Sequence, residues 1–232
     1  LSSIPKDKLD FSTMTDAGVI ELKKGNPSEA INKIVNATAI ERNYSRAYSF
    51  LAVAHFHKGE TYYLNNKYNE GIKALNQAIL TDSLNTKAYL GIATCYYSLE
   101  EYENALLNYT KCIELEPSTY SYAKRGEFYY EHGLALRGTD NDNLMNEKYD
   151  LAIEDYNKAI EIGDDDEYIN YSINGRANVY GDQKKFDLCI EEYTKYIEQE
   201  LSLGEDGLAG YFNRGLTYQN DLEEYDKAIQ DF

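Results

Sequence analysis

One arrangement of residues returns along this chain. Tyr89-x-x-Ile92-Ala93-x-x-Tyr96 leads into Tyr102-x-x-Ala105-x-x-x-Tyr109-x-x-Cys112. Tyr122-x-x-Arg125-Gly126-x-x-Tyr129 leads into Tyr149-x-x-Ala152-x-x-x-Tyr156-x-x-Ala159. Tyr211-x-x-Arg214-Gly215-x-x-Tyr218 leads into Tyr225-x-x-Ala228-x-x-x-Phe232. A recurrence of this length means one supersecondary unit stacked many times, each burying an apolar face that it could not bury alone. Within a unit the apolar and small residues stand at places 4, 7, 8 and 11, then at 17, 20, 24 and 27. Steps of three and four are the helical period. A short polar break such as Leu99-Glu100-Glu101 separates the two sets, so each unit reads as two antiparallel helices, A and B. Small residues at places 8 and 20 let the helices approach. Large residues at 4, 11, 17 and 24 fill the space around them. Most of the 24 tyrosines fall in those four columns, which assigns them to a core rather than to a base-stacking surface.

The pattern resembles the tetratricopeptide repeat, with its aromatic, Leu-Gly, Tyr, Ala, aromatic and Pro landmarks over 34 residues. Thr86 to Thr119 carries it best, with Pro117 at the Pro place; the other units lack that Pro, and Tyr stands where Trp is usual. The resemblance covers 11–232 and implies an all-α solenoid of about six helix pairs in a right-handed superhelix. After a tail at 1–10, the units are 11–44, 45–85, 86–118, 119–169, 170–207 and 208–232, the last incomplete. The first is the weakest, with no aromatic in its A helix. Gly25-Asn26-Pro27 breaks it, and Pro27 opens helix B. Phe232 stops helix B of the last unit early, so the array is expected to end uncapped.

Two units are stretched. Tyr89 to Tyr102 spans 13 positions, against 20 from Tyr48 to Tyr68 and 27 from Tyr122 to Tyr149. The excesses are about two and four helical turns, which keeps the apolar faces in phase. Both are read as lengthened helices. In unit two, helix A is expected to run to Leu64 and turn at Asn65-Asn66. In unit four it is expected to run to Arg137, with helix B restarting near Leu144 behind an Asn143 cap. Leu134, Leu136, Leu144 and Met145 are expected to zip that extension. Asp140-x-Asp142 lacks the loop of a calcium site and reads as a polar turn.

A charge pattern runs through the repeat. Place 7 is Ala17, Leu51 and Ile92 in units one to three, but Arg125, Arg176 and Arg214 in units four to six. Place 23 is Lys33, Ala74 and Asn108, then Asp155, Glu192 and Asp231. The two columns change together, so each Arg is expected to reach the carboxylate of its own helix B, because an unpaired buried charge is costly. The alternative is an Arg row that grips an anionic ligand.

Nothing in the sequence reads as catalytic. There is no phosphate loop, nucleophile motif or metal-ligand spacing, and His55 and His57 point to different sides of one helix. The reading is therefore not an enzyme, with no cofactor and no metal. A net charge of −17 argues against nucleic acid. It reads first as solubility and second as a preference for basic partners. No apolar run reaches membrane-spanning length. Cys95, Cys112 and Cys189 sit at apolar places, as buried thiols would. A cytoplasmic location fits, and a chain that starts at Leu1 leaves an exported mature form open.

In the family, the A-helix stripe at places 2, 5, 9 and 12 lines a concave groove for a peptide or partner helix. By that resemblance the stripe is Arg46, Ser49, Val53 and Phe56 in unit two and Lys87, Leu90, Thr94 and Tyr97 in unit three. Unit four gives Tyr120, Ala123, Glu127 and Tyr130. Unit five gives Tyr171, Asn174, Asn178 and Gly181, and unit six gives Ala209, Phe212, Leu216 and Gln219. Its aromatic content suits binding, and Asn174 with Asn178 would meet a peptide backbone. Members that bind chaperone tails use a Lys and Asn pair one turn apart. Here those places hold Ser49/Val53 and Leu90/Thr94, so acidic chaperone tails are not expected to bind. The function expected is a non-catalytic protein-interaction scaffold. The rivals are a targeting arm of a larger enzyme and a module that self-associates through the uncapped C-terminal helix.

Overall fold

The structure is a computed structural model that describes residues 6–40, 45–64 and 66–232. The backbone alone is described at 6–12, 38, 40, 45–50, 52, 56, 59 and 61. It is an all-α solenoid, and no strand occurs among the described residues. The chain divides into two compact units, Leu1–Leu115 and Glu116–Phe232.

The first unit holds α1 (Lys6–Lys23), α2 (Pro27–Ile40), α3 (Ser45–Leu64), α4 (Tyr68–Thr81), α5 (Thr86–Ser98) and α6 (Tyr102–Leu115). Helix α1 thus opens ahead of Phe11. Helix α3 ends at Leu64, as a whole-turn extension requires. Two apolar clusters form its core. Ala30, Ile34, Ala37, Leu51 and Ala54 make one. Ile72, Leu75, Ala78, Ala88, Ile92 and Cys95 make the other. Leu51 and Ile92, two of the three apolar residues at place 7, lie inside these clusters. In the first helix pair the charge order is reversed. Glu21 of α1, 9% exposed, accepts from Lys33 Nζ of α2 at 2.9 Å, Lys24 Nζ at 3.2 Å and Asn26 Nδ2 at 3.1 Å. Those donors hold its carboxyl down at about 2, the Lys33 bond foremost.

The second unit holds α7 (Thr119–Ala135), α8 (Asp142–Ile162), α9 (Asp166–Asp182), α10 (Phe186–Ser202), α11 (Leu208–Asn220) and α12 (Tyr225–Asp231). Ser118 and Ser121 close a capping box at the start of α7, and Asp165 caps α9 through Tyr168 N. The stretched hairpin differs from its reading in three details. Helix α7 ends at Ala135, two residues short of Arg137. Helix α8 begins at Asp142 behind Asn141, so Asn143 lies inside the helix and caps nothing. The turn is instead braced by Thr139, whose hydroxyl donates to Leu136 O at 2.7 Å and accepts from Asn141 N at 3.3 Å. Leu144 is 36% exposed, which leaves it outside a sealed zipper. The close contact is at Gly133, where an added Cβ would stand 2.5 Å from Tyr149 Cε1. Tyr149 and Tyr156 are each 1% exposed. Tyr156 lies between two glycines: a Cβ would come within 3.0 Å of its ring at Gly126 and 2.5 Å at Gly175. Large tyrosines are set against small residues in this core, leaving no room for an added methyl.

Each turn inside a helix pair contains one residue with left-handed backbone: Gly25, Asn66, Glu100, Gly138, Lys184 and Glu223. Only Gly takes that conformation without steric cost, and side chains accept it here because it ends helix A within a few residues.

Candidate functional site

Three arginines on the A helices of the second unit meet carboxylates on the B helices. Arg125 donates from Nε to Asp155 Oδ2 at 2.7 Å and from Nη2 to Oδ1 at 2.8 Å. Arg214 does the same with Asp231, at 2.9 and 2.7 Å. Arg176 donates from Nε to Glu192 Oε2 at 2.9 Å, and its Nη2 meets the same oxygen. Asp155 and Glu192 are buried, at 4% and 5% exposure. Burial pushes the Asp155 carboxyl up against the pull of Arg125, so the charge depends on its partner. The third arm of two arginines crosses to the preceding B helix: Arg176 Nη1 donates to Asn157 Oδ1, and Arg214 Nη1 to Thr194 Oγ1 at 2.9 Å. Rings complete the seats. The Arg125 guanidinium lies 5.7 Å from the Tyr122 ring centre and 5.9 Å from that of Tyr129, and Arg214 lies 5.5 Å from Tyr211. These arms already have carboxylate, amide or hydroxyl partners, so an external anion would have to displace one.

The stripe at places 2, 5, 9 and 12 is only partly solvent-facing. In the first unit Val53 is 40% exposed and Lys87 is exposed, but Leu90 is buried at 8%. Thr94 Oγ1 donates to Leu90 O at 3.0 Å, and the Tyr97 ring lies 6.1 Å from Tyr102. The side chains of Arg46, Ser49 and Phe56 lie outside the described residues. In the second unit Ala123 is fully buried. Tyr130 turns inward, donating its hydroxyl to Asp182 Oδ2 at 2.9 Å with its ring on Tyr149. Asn178 is likewise held from within, since the Tyr193 hydroxyl donates to its Oδ1. It is therefore not paired with Asn174 on the open face. A purely positional stripe cannot anticipate these inward contacts, because long tyrosines reach across from the neighbouring helix. Phe212 is 56% exposed beside Phe232, with ring centres 6.0 Å apart, and Leu216 is half-buried.

The rest of the stripe gathers around a cavity of about 450 Å³ between α7, α9 and α10. Tyr168, Tyr171 and Tyr196 supply its rings. Lys124, Glu167, Asn170, Asn174 and Glu200 supply its polar groups. Tyr120 stacks edge-on against Tyr168 at 4.6 Å. Lys124 Nζ lies 4.8 Å above the Tyr171 ring and 3.0 Å from Glu127 Oε2. Burial, and then the Glu127 carboxylate, push the Tyr171 hydroxyl well up, so it stays protonated. Asn174 Oδ1 accepts from Asn213 Nδ2 of α11 at 3.4 Å. Asn170 is 6% exposed, and its Nδ2 donates to Glu200 Oε1 at 2.5 Å. A carboxylate only accepts, so this bond fixes the amide's orientation. It leaves Asn170 Oδ1 buried with no donor. Of these residues, Tyr120, Glu127, Tyr171 and Asn174 came from the repeat pattern. Lys124, Asn170, Tyr196 and Glu200 did not, because they sit off the stripe. Among the described residues no group of His, Cys, Asp or Glu could hold a metal, and no helix is long and apolar enough to cross a membrane. All three cysteines are buried thiols, and burial pushes the Cys95 thiol up to about 11.

Residues 86–119 and 52–83 each match the model of the tetratricopeptide repeat. These segments are tetratricopeptide repeats. Its relatives include Hsp70-Hsp90 organizing protein 3 of Arabidopsis thaliana, 26% identical over 66% of this chain, and Hsp70-Hsp90 organizing protein of Triticum aestivum, 24% identical over 68%. The chain spans 25% and 30% of those proteins' lengths. A tetratricopeptide repeat protein from Parabacteroides merdae shares its fold at 18% identity and a TM-score of 0.65, over 96% of this chain and 77% of that one. PilF of Pseudomonas aeruginosa does so at 15% identity and a TM-score of 0.56, over 97% and 90%. Set in this tetratricopeptide repeat frame, the cavity is built by the two A helices of units four and five and closed by the end of α10.

Proposed function

We propose that this chain is a protein-interaction scaffold, non-catalytic in itself, that receives an extended peptide on the A-helix face of its second unit. The repeat family and the chaperone-organizing relatives support the scaffold. The observation that carries the peptide site is the cavity at Tyr168, Tyr171 and Asn170, where rings, amides and charges converge beside an unmet acceptor. Recognition sites combine such apolar walls with a few fixed polar groups. Against catalysis, the sequence supplies no nucleophile beside a base.

The relatives organize Hsp70 and Hsp90, as their names say. In this chain the positions of the Lys and Asn pair hold Ser49/Val53 and Leu90/Thr94. We therefore place the partner in the protein class without the acidic chaperone tail. Selection of a displayed random peptide library on the chain tests this. Peptides that lose binding on Tyr171→Ala while helicity is retained support the reading. A library that yields no binder, or binders indifferent to Tyr171, contradicts it. Self-association is a second reading, favoured by Leu208, Phe212 and Ile229 at 66%, 56% and 72% exposure. Light scattering that rises with concentration tests it.

A further inference from the structure

We infer that the cavity between α7, α9 and α10 is a seat for an arginine side chain presented by the partner. The inference rests on the scaffold reading and names the chemistry that its peptide site recognises. The second unit already shows how it holds arginine. Arg214 sits against the Tyr211 ring, is paired with Asp231, and gives its third arm to Thr194 on a neighbouring helix. Arg176 is paired with Glu192 and gives its third arm to an amide oxygen, that of Asn157. The cavity repeats this set without an arginine of its own. Tyr196 and Tyr171 are the rings, Glu200 the carboxylate and Asn170 Oδ1 the amide oxygen.

Three observations favour a cation there. Asn170 Oδ1 is a buried acceptor without a donor, and such groups are rare and costly. Among the described residues no ion pair reaches Glu200 or Glu167, so the two carboxylates leave the rim negative. Lys124 does not offset them, because Glu127 already pairs with it at 3.0 Å. The chain as a whole carries −17, which draws basic segments towards it. A guanidinium fits better than an ammonium. It is planar, stacks on tyrosine, and presents donors in a fork that can meet Glu200 and Asn170 together.

The test is a chemical-shift titration of the full chain with N-acetyl-arginine amide, with the lysine and citrulline amides as comparators. Saturable shifts at the Asn170 side-chain amide, Tyr171 and Tyr196 are expected for arginine. Citrulline, which keeps the shape and lacks the charge, should bind at least tenfold more weakly. Glu200→Gln should weaken arginine at least tenfold, and the exposed Glu167→Gln, which leaves the packing intact, about threefold. No saturable shift would overturn the inference and leave Asn170 to an ordered water. Equal binding of citrulline would overturn the charge recognition, and equal binding of lysine the guanidinium. A library peptide without arginine that still depends on Tyr171 would overturn this inference alone. Absence of both peptide and arginine binding would sink the scaffold reading with it.

Discussion

The two units use one repeat and fill the same two positions in opposite ways. In the first, place 7 is Leu51 or Ile92, buried at 7% and 2%, and place 23 is apolar at Ala74. In the second, place 7 is an arginine and place 23 a carboxylate, joined by two hydrogen bonds in each of three helix pairs. Both solutions keep helix A against helix B. They differ in how they fail. An apolar contact loses part of its area when trimmed. A charged pair that loses one member strands the other in the core. The second unit also uses its arginines between repeats, through Asn157 and Thr194, so its stacking depends on directional bonds that Leu51 and Ile92 cannot make.

The largest break should come from Arg125→Leu. It leaves Asp155 buried without a partner and should cost about 3–5 kcal/mol by urea unfolding. Gly175→Ala should follow, at about 1–3 kcal/mol, because the new methyl meets Tyr156, whose ring is held from the other side by Gly126. Thr194→Val removes the acceptor for Arg214 Nη1 and should cost about 1 kcal/mol. The first unit has its own acid test. Glu21 falls from 4.5 to about 2 on folding, so its contribution is present above pH 4.5 and is lost as pH falls towards 2. Glu21→Gln should flatten the stability profile across that window. The smallest expected change is a gain. Lys184→Gly relieves a left-handed backbone at φ 58° and should add about 0.5 kcal/mol, the steric relief being offset by a looser unfolded chain.

The fold was legible because its signal is periodic. Tyr149, Tyr156, Ala105 and Ala152 stand where helical spacing requires a core, and the structure buries them. The whole-turn excess in unit two gave the end of α3 at Leu64 for the same reason. The Arg and carboxylate columns were legible as covariation inside one chain. Less could be read where contacts are set by the reach of side chains. Tyr193 taking Asn178, Tyr130 taking Asp182 and Arg176 crossing to Asn157 all join positions with no fixed spacing. The Asn143 cap failed because Thr139 braces the turn from the other side. Asn170 and Glu200 escaped because their meaning lies in a pairing 30 residues apart.

The claim that the arginine pairs are internal supports, interchangeable with the apolar solution of the first unit, is tested most directly by a double-mutant cycle. Arg125→Leu, Asp155→Ala and the double variant reproduce the Leu51 and Ala74 arrangement within the second unit. Urea unfolding should show two costly single variants, each losing about 3 kcal/mol or more, a double that returns to within about 1.5 kcal/mol of the parent, and so a coupling above about 4 kcal/mol. Additive losses with no coupling would contradict the account and return these arginines to the role of ligand contacts.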